Sequence, residues 1–261
     1  MSISDVLVEI RGRTCVVTLN RPEARNSLTK AVVEQAAAAF DAASANPAVR
    51  CVVLRGTGNH FCAGADLRQT LTDETGSLPD LDVYMDAFHS VIKAIVRCPK
   101  PTIAQVDGAA VGFGADLALA CDLRVVSDKA YIQEKFIHIG LMPDGGGTFW
   151  LPRLIGTSRA IRAIFLMEKL EASELKTLDL VVDVVPQDKL EARAMEIAKK
   201  LEKGPPLAFA EAKKALYANL GDVEAALKRE REGQLRLLRT QDLVEGVSAW
   251  VQKREPDFQG K

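Results

Sequence analysis

The chain lacks the features that would assign it to a secreted, membrane-bound or nucleic-acid-binding class. Its 261 residues include 34 basic and 35 acidic side chains, so no excess of positive charge indicates a polyanionic partner. No apolar run approaches the roughly 18 residues that a membrane helix needs. The N-terminus shows neither the basic nor the apolar region of a signal peptide. We therefore expect neither a nucleic acid nor a membrane as a partner.

Cysteine and histidine are also sparse, which narrows the possible chemistry. The five cysteines form no C-x-x-C pair and are odd in number, which favours free thiols and a reducing, cytoplasmic setting. The three histidines belong to no set with metal-ligand spacing, so no metal is expected. The sequence contains neither a phosphate-loop pattern nor a Gly-x-Ser-x-Gly elbow.

The apolar pattern predicts an α/β fold. Short apolar runs at 6–10, 15–19, 51–54 and 102–106 indicate strands that are too buried to alternate cleanly. Longer stretches with apolar residues three and four apart, such as Tyr84, Phe88, Val91 and Ile95, separate them and indicate amphipathic helices. Further strands are expected at 123–127 and 130–133. The segment Gln69–Asp82 is polar, and we interpret it either as a mobile loop that covers a substrate or as plain surface.

After about residue 200 the strand pattern ends and helices are expected. Glycine and proline punctuate this region at 204–206 and at Gly221, and Asp222 is a good N-cap for the helix that follows. The charged residues 228–232 mix both signs, and we interpret them as a solvated face or a subunit contact.

Two turns of small residues, about fifty residues apart, carry the clearest functional signal. They are His60–Leu67 and Val106–Leu117, and each leads from an apolar run into an apparent helix start, where free N–H groups point outward. Taken alone, either turn is also consistent with an ordinary tight connection. Side by side, they would present two N–H donors to one oxygen, an oxyanion hole suited to a thioester carbonyl that becomes an enolate.

In this order and at this spacing, the two turns resemble those of the crotonase superfamily, which contains enoyl-CoA hydratases and isomerases. Three further blocks extend the resemblance over nearly the whole chain: Asn20–Leu28, Gly140–Gly156 and Glu245–Phe258. The second and third of these blocks are similar to the epoxyphenylacetyl-CoA isomerase-like branch. The resemblance implies an α/β spiral of ββα turns over residues 1–200 and a C-terminal helical region, 201–261, that builds a homotrimer or hexamer.

The same resemblance implies where the substrate binds. It assigns the oxyanion donors to the backbone N–H groups of Ala65 and Phe113, and it implies an acyl-CoA substrate with no permanently bound cofactor. Further contacts with CoA or the acyl group are implied for Ala24, Arg25, Ala63, Gly64, Asp66, Leu67, Gly112, Phe136 and, on a neighbouring subunit, Phe258.

Proton transfer requires an acidic group near this hole, and two aspartates are candidates. Asp144 matches an acidic position of the family's enoyl-CoA isomerases, where one carboxylate suffices; its alternative role is to cap a helix. Asp116 matches a glutamate of the hydratases but is one methylene shorter, and a helix dipole alone would favour an aspartate there.

A departure from the hydratase pattern argues against ordinary enoyl-CoA hydration. The second hydratase glutamate aligns with Phe136, whose ring cannot transfer a proton. On a strand, Glu134 and His138 would share a face with Phe136 and could enter the pocket instead.

We therefore predict an enzyme that isomerises an enoyl-CoA double bond with Asp144 as the proton shuttle. A hydratase using Asp116 with Asp144 or Glu134 is one alternative, and hydrolysis or displacement with Asp144 as nucleophile is another. A non-catalytic protein that binds acyl-CoA or RNA is the alternative from a different class.

Overall fold

The computed structural model describes residues 4–70 and 80–261. The strands are β1 (Val6–Arg11), β2 (Thr14–Leu19), β3 (Cys51–Gly56), β4 (Thr102–Val106), β5 (Ala109–Val111), β6 (Leu123–Ser127), β7 (Tyr131–Gln133), β8 (Leu170–Glu171) and β9 (Asp183–Val185). The helices are α1 (Lys30–Ala45), α2 (Leu67–Thr70), α3 (Leu81–Arg97), α4 (Phe113–Ala120), α5 (Gly147–Ile155), α6 (Thr157–Phe165), α7 (Ala172–Thr177), α8 (Leu190–Glu202), α9 (Pro206–Leu220), α10 (Val223–Leu237) and α11 (Gln241–Gln252).

The strands form two sheets, and the larger one confirms the α/β prediction. Its order is β1-β2-β3-β4-β6-β9, and every pairing except the β1–β2 hairpin is parallel. A smaller sheet has the order β5-β7-β8. Because parallel strands need crossover connections, helices alternate with the strands along the chain. The fold is an α/β core followed by C-terminal helices.

Both faces of the large sheet are buried, which explains the continuous apolar runs. Val52 and Leu54 of β3 belong to the main core, whereas Cys51 and Val53 point to the opposite face and join a second cluster with Leu190 of α8. Successive side chains of a strand point to opposite faces, so each face needs its own apolar set.

The C-terminal helices pack against the segment that precedes α5. Leu238 and Leu243 form a small apolar cluster with Ile139 and Leu141. A Cβ atom at Gly246 of α11 would lie 2.7 Å from the Ile139 Cα, so the two backbones are in direct contact. As predicted, Asp222 caps α10 by accepting from the Ala225 N–H. The division into units 1–200 and 201–261 stays a prediction.

The structure corrects two expectations about local conformation. Glu134, Phe136 and His138 do not share a strand face, because β7 ends at Gln133 and a 3-10 helix begins at Phe136. The backbone of Lys135, at φ −110° and ψ 15°, is not extended and ends the strand.

The segment 69–82, interpreted as a loop, is helical at both ends. Residues 69 and 70 belong to α2, Asp80 caps α3 by accepting from the N–H groups of Asp82 and Val83, and Leu81 begins that helix. Its central part, 71–79, lies outside the described residues.

Candidate active site

The first turn directs the Ala65 N–H away from the neighbouring chain. Leu28 pairs with Ala65 as in a parallel bridge: the Leu28 N–H donates to the Gly64 oxygen and the Asp66 N–H donates to the Leu28 oxygen, each at 2.8 Å. Backbone groups of successive extended residues point in opposite directions, so the Ala65 N–H faces away from Leu28. Within the described chain, this N–H has no hydrogen-bond acceptor.

The second turn presents an N–H group at a helix start. Gly112, at φ 54° and ψ −126°, caps α4, and Phe113 is the first residue of that helix. The N–H of a first helical residue has no intrahelical acceptor. A Cβ atom at Gly64 would lie 2.8 Å from the Val111 oxygen and 3.6 Å from the Phe113 nitrogen, so the two turns are in contact. Only a residue without a side chain permits this approach.

A cavity of about 640 Å³ opens beside the two turns. Phe88, Phe136, Leu141 and Leu238 give it apolar walls, and Asp144 also lines it. The residues predicted from sequence that line it are Ala24, Arg25, Ala63, Gly64, Ala65, Asp66, Leu67, Gly112, Phe113, Phe136 and Asp144.

Asp144 is nearly buried and holds one free oxygen. The residue is 7% exposed; Oδ2 accepts a 2.8 Å hydrogen bond from Gln234, and Oδ1 has no partner among the described residues. Burial raises the pKa of Asp144 to about 7, although the Gln234 N–H opposes this shift by stabilising the charged form. A carboxyl with this pKa can both accept and return a proton near neutral pH.

Three more carboxyl groups lie behind Asp144, outside the cavity wall that the described residues form. Asp116, Glu134 and Glu230 are each at most 2% exposed. Asp116 Oδ1 and both carboxyl oxygens of Glu134 are buried and have no hydrogen-bond partner among the described residues. Burial raises the pKa of Asp116 and of Glu134, and the negative charges of the neighbouring carboxyls raise it further.

The glycine turn after Asp144 lies within this group. Asp116 Oδ2 accepts from the Gly145 N–H at 3.1 Å, and Glu230 accepts from the N–H groups of Gly146 and Thr148 at 2.7 and 3.0 Å. A Cβ at Gly147 would lie 2.8 Å from both Asp116 Oδ1 and Glu134 Oε1. Glycine is therefore required for the turn to approach the carboxyls.

Comparison with known proteins identifies the family of this site. Residues 9–261 match the family model described as enoyl-CoA hydratase/isomerase. A probable enoyl-CoA hydratase of Rhodobacter capsulatus is 38% identical over 100% of both chains. The 1,2-epoxyphenylacetyl-CoA isomerase of Escherichia coli is 34% identical over 98% of each chain, and the 2,3-dehydroadipyl-CoA hydratase of the same organism is 35% identical over 99% of this chain and 100% of its own.

This chain belongs to the enoyl-CoA hydratase/isomerase family of the crotonase superfamily. A crystal structure of an enoyl-CoA hydratase from Mycobacterium avium subsp. paratuberculosis confirms the crotonase fold, with a TM-score of 0.89, 35% identity, and coverage of 99% of this chain and 100% of the other. The family acts on CoA thioesters.

Within this crotonase fold, the candidate acids are separated by the cavity wall. Asp144 lines the cavity and does not cap α5, because Gly146 occupies the N-cap position. Asp116 is fully buried in the first turn of α4 and does not line the cavity in the described structure. Glu134 is also excluded from it, whereas His138 lines it from the 3-10 helix.

Two polar residues of the C-terminal region, Gln234 and Glu230, contact the candidate catalytic segment and were not found from the sequence. Gln234 lines the cavity and donates to Asp144, and Glu230 is 1% exposed. The interpretation of 228–232 as a solvated face is therefore wrong for Glu230, because its carboxylate accepts from the turn before α5. The four-residue spacing of Glu230 and Gln234 was the available signal, but it does not reveal what the helix packs against.

Two further expectations concern distant parts of the chain. Phe258 is 40% exposed and lies outside the cavity wall of its own chain, so its contact with CoA on a neighbouring subunit stays a prediction. Among the residues that the structure describes, no helix has the length and apolar character needed to cross a membrane.

Proposed function

We propose that this family member isomerises an enoyl-CoA double bond through a thioester dienolate. The N–H groups of Ala65 and Phe113 hold the thioester oxygen as negative charge develops on it. The Asp144 carboxylate removes the C2 proton of a 3-enoyl-CoA and returns it to C4, so the double bond moves to C2–C3 and no atom is gained or lost. The observation that carries this proposal is the position of Asp144: of the four clustered carboxyls, it is the one that lines the cavity.

Hydration is the second candidate, and the relatives named as hydratases favour it. It needs a group to activate water and an acid to protonate the α-carbon. Asp116 or Glu134 would have to serve with Asp144, yet both are buried behind the cavity wall. Phe136, on the cavity surface, has no proton to transfer. Of the four clustered carboxyls, Asp144 alone lines the cavity in the described structure, which supports the isomerase proposal.

Isotope labelling separates the two reactions. Purified protein is incubated with 3-enoyl-CoA and 2-enoyl-CoA in heavy-oxygen water and, separately, in deuterium oxide, and the products are read by chromatography and mass spectrometry. We expect mutual conversion of the two isomers without oxygen incorporation. Gain of labelled water would establish the hydratase instead, and tight CoA binding without turnover would support a non-catalytic member. A trapped covalent acyl-enzyme would indicate Asp144 as a nucleophile.

Matched variants assign the proton shuttle. We expect Asp144→Asn to lower isomerase kcat by at least about a hundredfold, because an amide cannot accept the proton. Asp116→Asn should retain most of the activity, since its amide oxygen can still accept from the Gly145 N–H. Equal losses in both variants would contradict the one-carboxylate mechanism.

The proposal extends to CoA binding and assembly. Ala24, Arg25, Ala63, Gly64, Asp66 and Leu67 form the part of the cavity that we assign to CoA, and the reaction needs no other cofactor. We assign residues 201–261 to a helical unit that builds a homotrimer, alone or paired as a hexamer, and sedimentation analysis tests this. The five cysteines are free and buried, which suits the reducing cytoplasm that we propose as the setting.

A further inference from the structure

Gln234 of α10 contacts the proposed catalytic segment at two points. It is 2% exposed; its Oε1 accepts from the Met142 N–H at 3.1 Å, and its Nε2 donates to Asp144 Oδ2 at 2.8 Å. The two contacts fix the orientation of the amide, because its oxygen needs a donor and its NH₂ group needs an acceptor. The side chain therefore bridges the residues on either side of Pro143.

The same face of α10 and a neighbouring helix hold the rest of this segment. Glu230, four residues before Gln234, accepts from the N–H groups of Gly146 and Thr148. His89 of α3 contacts the Asp144 carbonyl oxygen at 2.8 Å through Nε2. Since a carbonyl oxygen only accepts, His89 carries a proton on this nitrogen. The backbone on both sides of Asp144 is thereby immobilised.

We propose that Gln234 is a positioning residue for proton transfer: by donating to Asp144 Oδ2, it holds the carboxyl in the orientation in which Asp144 lines the cavity. This inference rests on the proposed function. Oδ1 is buried and has no hydrogen-bond partner among the described residues, so the Gln234 amide makes the one side-chain hydrogen bond that the described structure gives this carboxyl. An N–H donor also stabilises the carboxylate form, which is the form that removes the proton.

The experiment must separate the effect of Gln234 on Asp144 from the effects of the ionisable groups around it. Burial lowers the pKa of His89 to about 4, so this histidine is neutral near pH 7. Glu230 has the opposite influence to Gln234, because its negative charge raises the pKa of Asp144. Asp116 and Glu134 lie behind the turn. The other ionisable groups on the cavity wall are Glu23, Arg25, Asp66, Arg68, Tyr84, Tyr131, Lys135 and His138.

The test measures kcat/KM for 3-enoyl-CoA from pH 5 to pH 9.5 in the His138→Gln background, which removes the cavity histidine. We expect Gln234→Met to move the acidic limb upward by about one to two pH units, the effect of losing one hydrogen bond to a charged group. Relative to the His138→Gln background, kcat/KM of the Gln234→Met variant should be at least about tenfold lower at pH 6 and within a few fold at pH 9. Glu230→Gln should move the limb downward, and Gln252→Met, on the exposed end of α11, should leave it unchanged.

A loss that is equal at every pH in Gln234→Met would overturn the proposal, because general damage to packing does not change a pKa. A second measurement is independent of turnover: the carboxyl ¹³C signal of Asp144, assigned by its absence in Asp144→Asn, is titrated in wild type and in Gln234→Met. An upward shift supports the positioning role even if isomerisation is not the reaction. Identical titrations would overturn it even if isomerisation is confirmed.

Discussion

At Asp144, burial raises the pKa of the carboxyl and the hydrogen bond from Gln234 lowers it. Burial dominates and brings the pKa to about 7. If the ionised form is the base, kcat/KM increases as pH rises through 7 and is lost below it. We expect the acidic limb of the wild-type pH profile near pH 7 rather than near 4, measured with 3-enoyl-CoA. A limb that stayed near 7 after His138→Gln would exclude the cavity histidine as its source, whereas a limb near 4 would contradict a buried catalytic carboxyl.

Gly64 is the residue at which the two turns approach most closely. Its φ is +91°, and a Cβ would lie 2.8 Å from the Val111 oxygen, so Gly64→Ala must displace the turn that carries the Ala65 N–H. We expect this variant to lower kcat by at least about tenfold, comparable to weakening one oxyanion donor. Gly58→Ala is the matched control, because Gly58 has a φ of +72° but its Cβ would lie at an ordinary 3.5 Å from Pro22. If both variants lose activity equally, backbone strain and not the hole is responsible.

At the scale of the element, α10 determines how α5 begins. Glu230 accepts from the Gly146 N–H, the Thr148 N–H and the Thr148 hydroxyl, which replace an N-cap side chain because Gly146 has none. Removing an acceptor from buried donors costs about 1–3 kcal/mol. We expect Glu230→Ala to lower the free energy of unfolding by that order in denaturant titration. The exposed Glu232→Ala on the same helix should change it by less than about 0.5 kcal/mol; equal effects would refute a specific role for Glu230.

Local sequence determined most elements directly. Tyr84, Phe88, Val91 and Ile95 predicted a helix, and α3 spans Leu81–Arg97. The strand after residue 130 was also predicted, but its end was not, since Glu134 and Phe136 were assigned to one strand face. Alternation along a strand holds only while the backbone stays extended, and Lys135 leaves that conformation. The sequence around it contains no glycine or proline that would mark the break.

At the scale of the whole molecule, the buried carboxyls couple folding to pH. Burial raises the pKa of Asp144 and of Glu230 to about 7, from ordinary values of 3.8 and 4.5, so the folded chain binds more protons than the unfolded chain between those limits. The stability that these two groups contribute is complete below about pH 4 and is lost as pH rises through 7. Asp116 and Glu134 are shifted in the same direction by burial.

Asp144→Asn should therefore stabilise the protein more at pH 8 than at pH 5. One group contributes a slope of at most about 1.4 kcal/mol per pH unit, so we expect the stability difference between variant and wild type to grow by about 1 kcal/mol or more between these two pH values. Urea titration at each pH measures it, with the exposed Asp128→Asn as the control. A difference that does not depend on pH would show that the Asp144 carboxyl is not protonated preferentially in the folded state.

The sequence by itself determined the family, the α/β fold and the two turns, because these depend on short motifs and on the period of apolar residues. The resemblance also brought Asp144 and Asp116 forward as candidates. Only the tertiary structure separated them, placing Asp144 on the cavity wall and Asp116 behind the glycine turn. It also brought Glu230 and Gln234 to a turn more than eighty residues earlier in the chain. Burial and hydrogen-bond partners depend on how distant helices pack, and no local pattern encodes that packing.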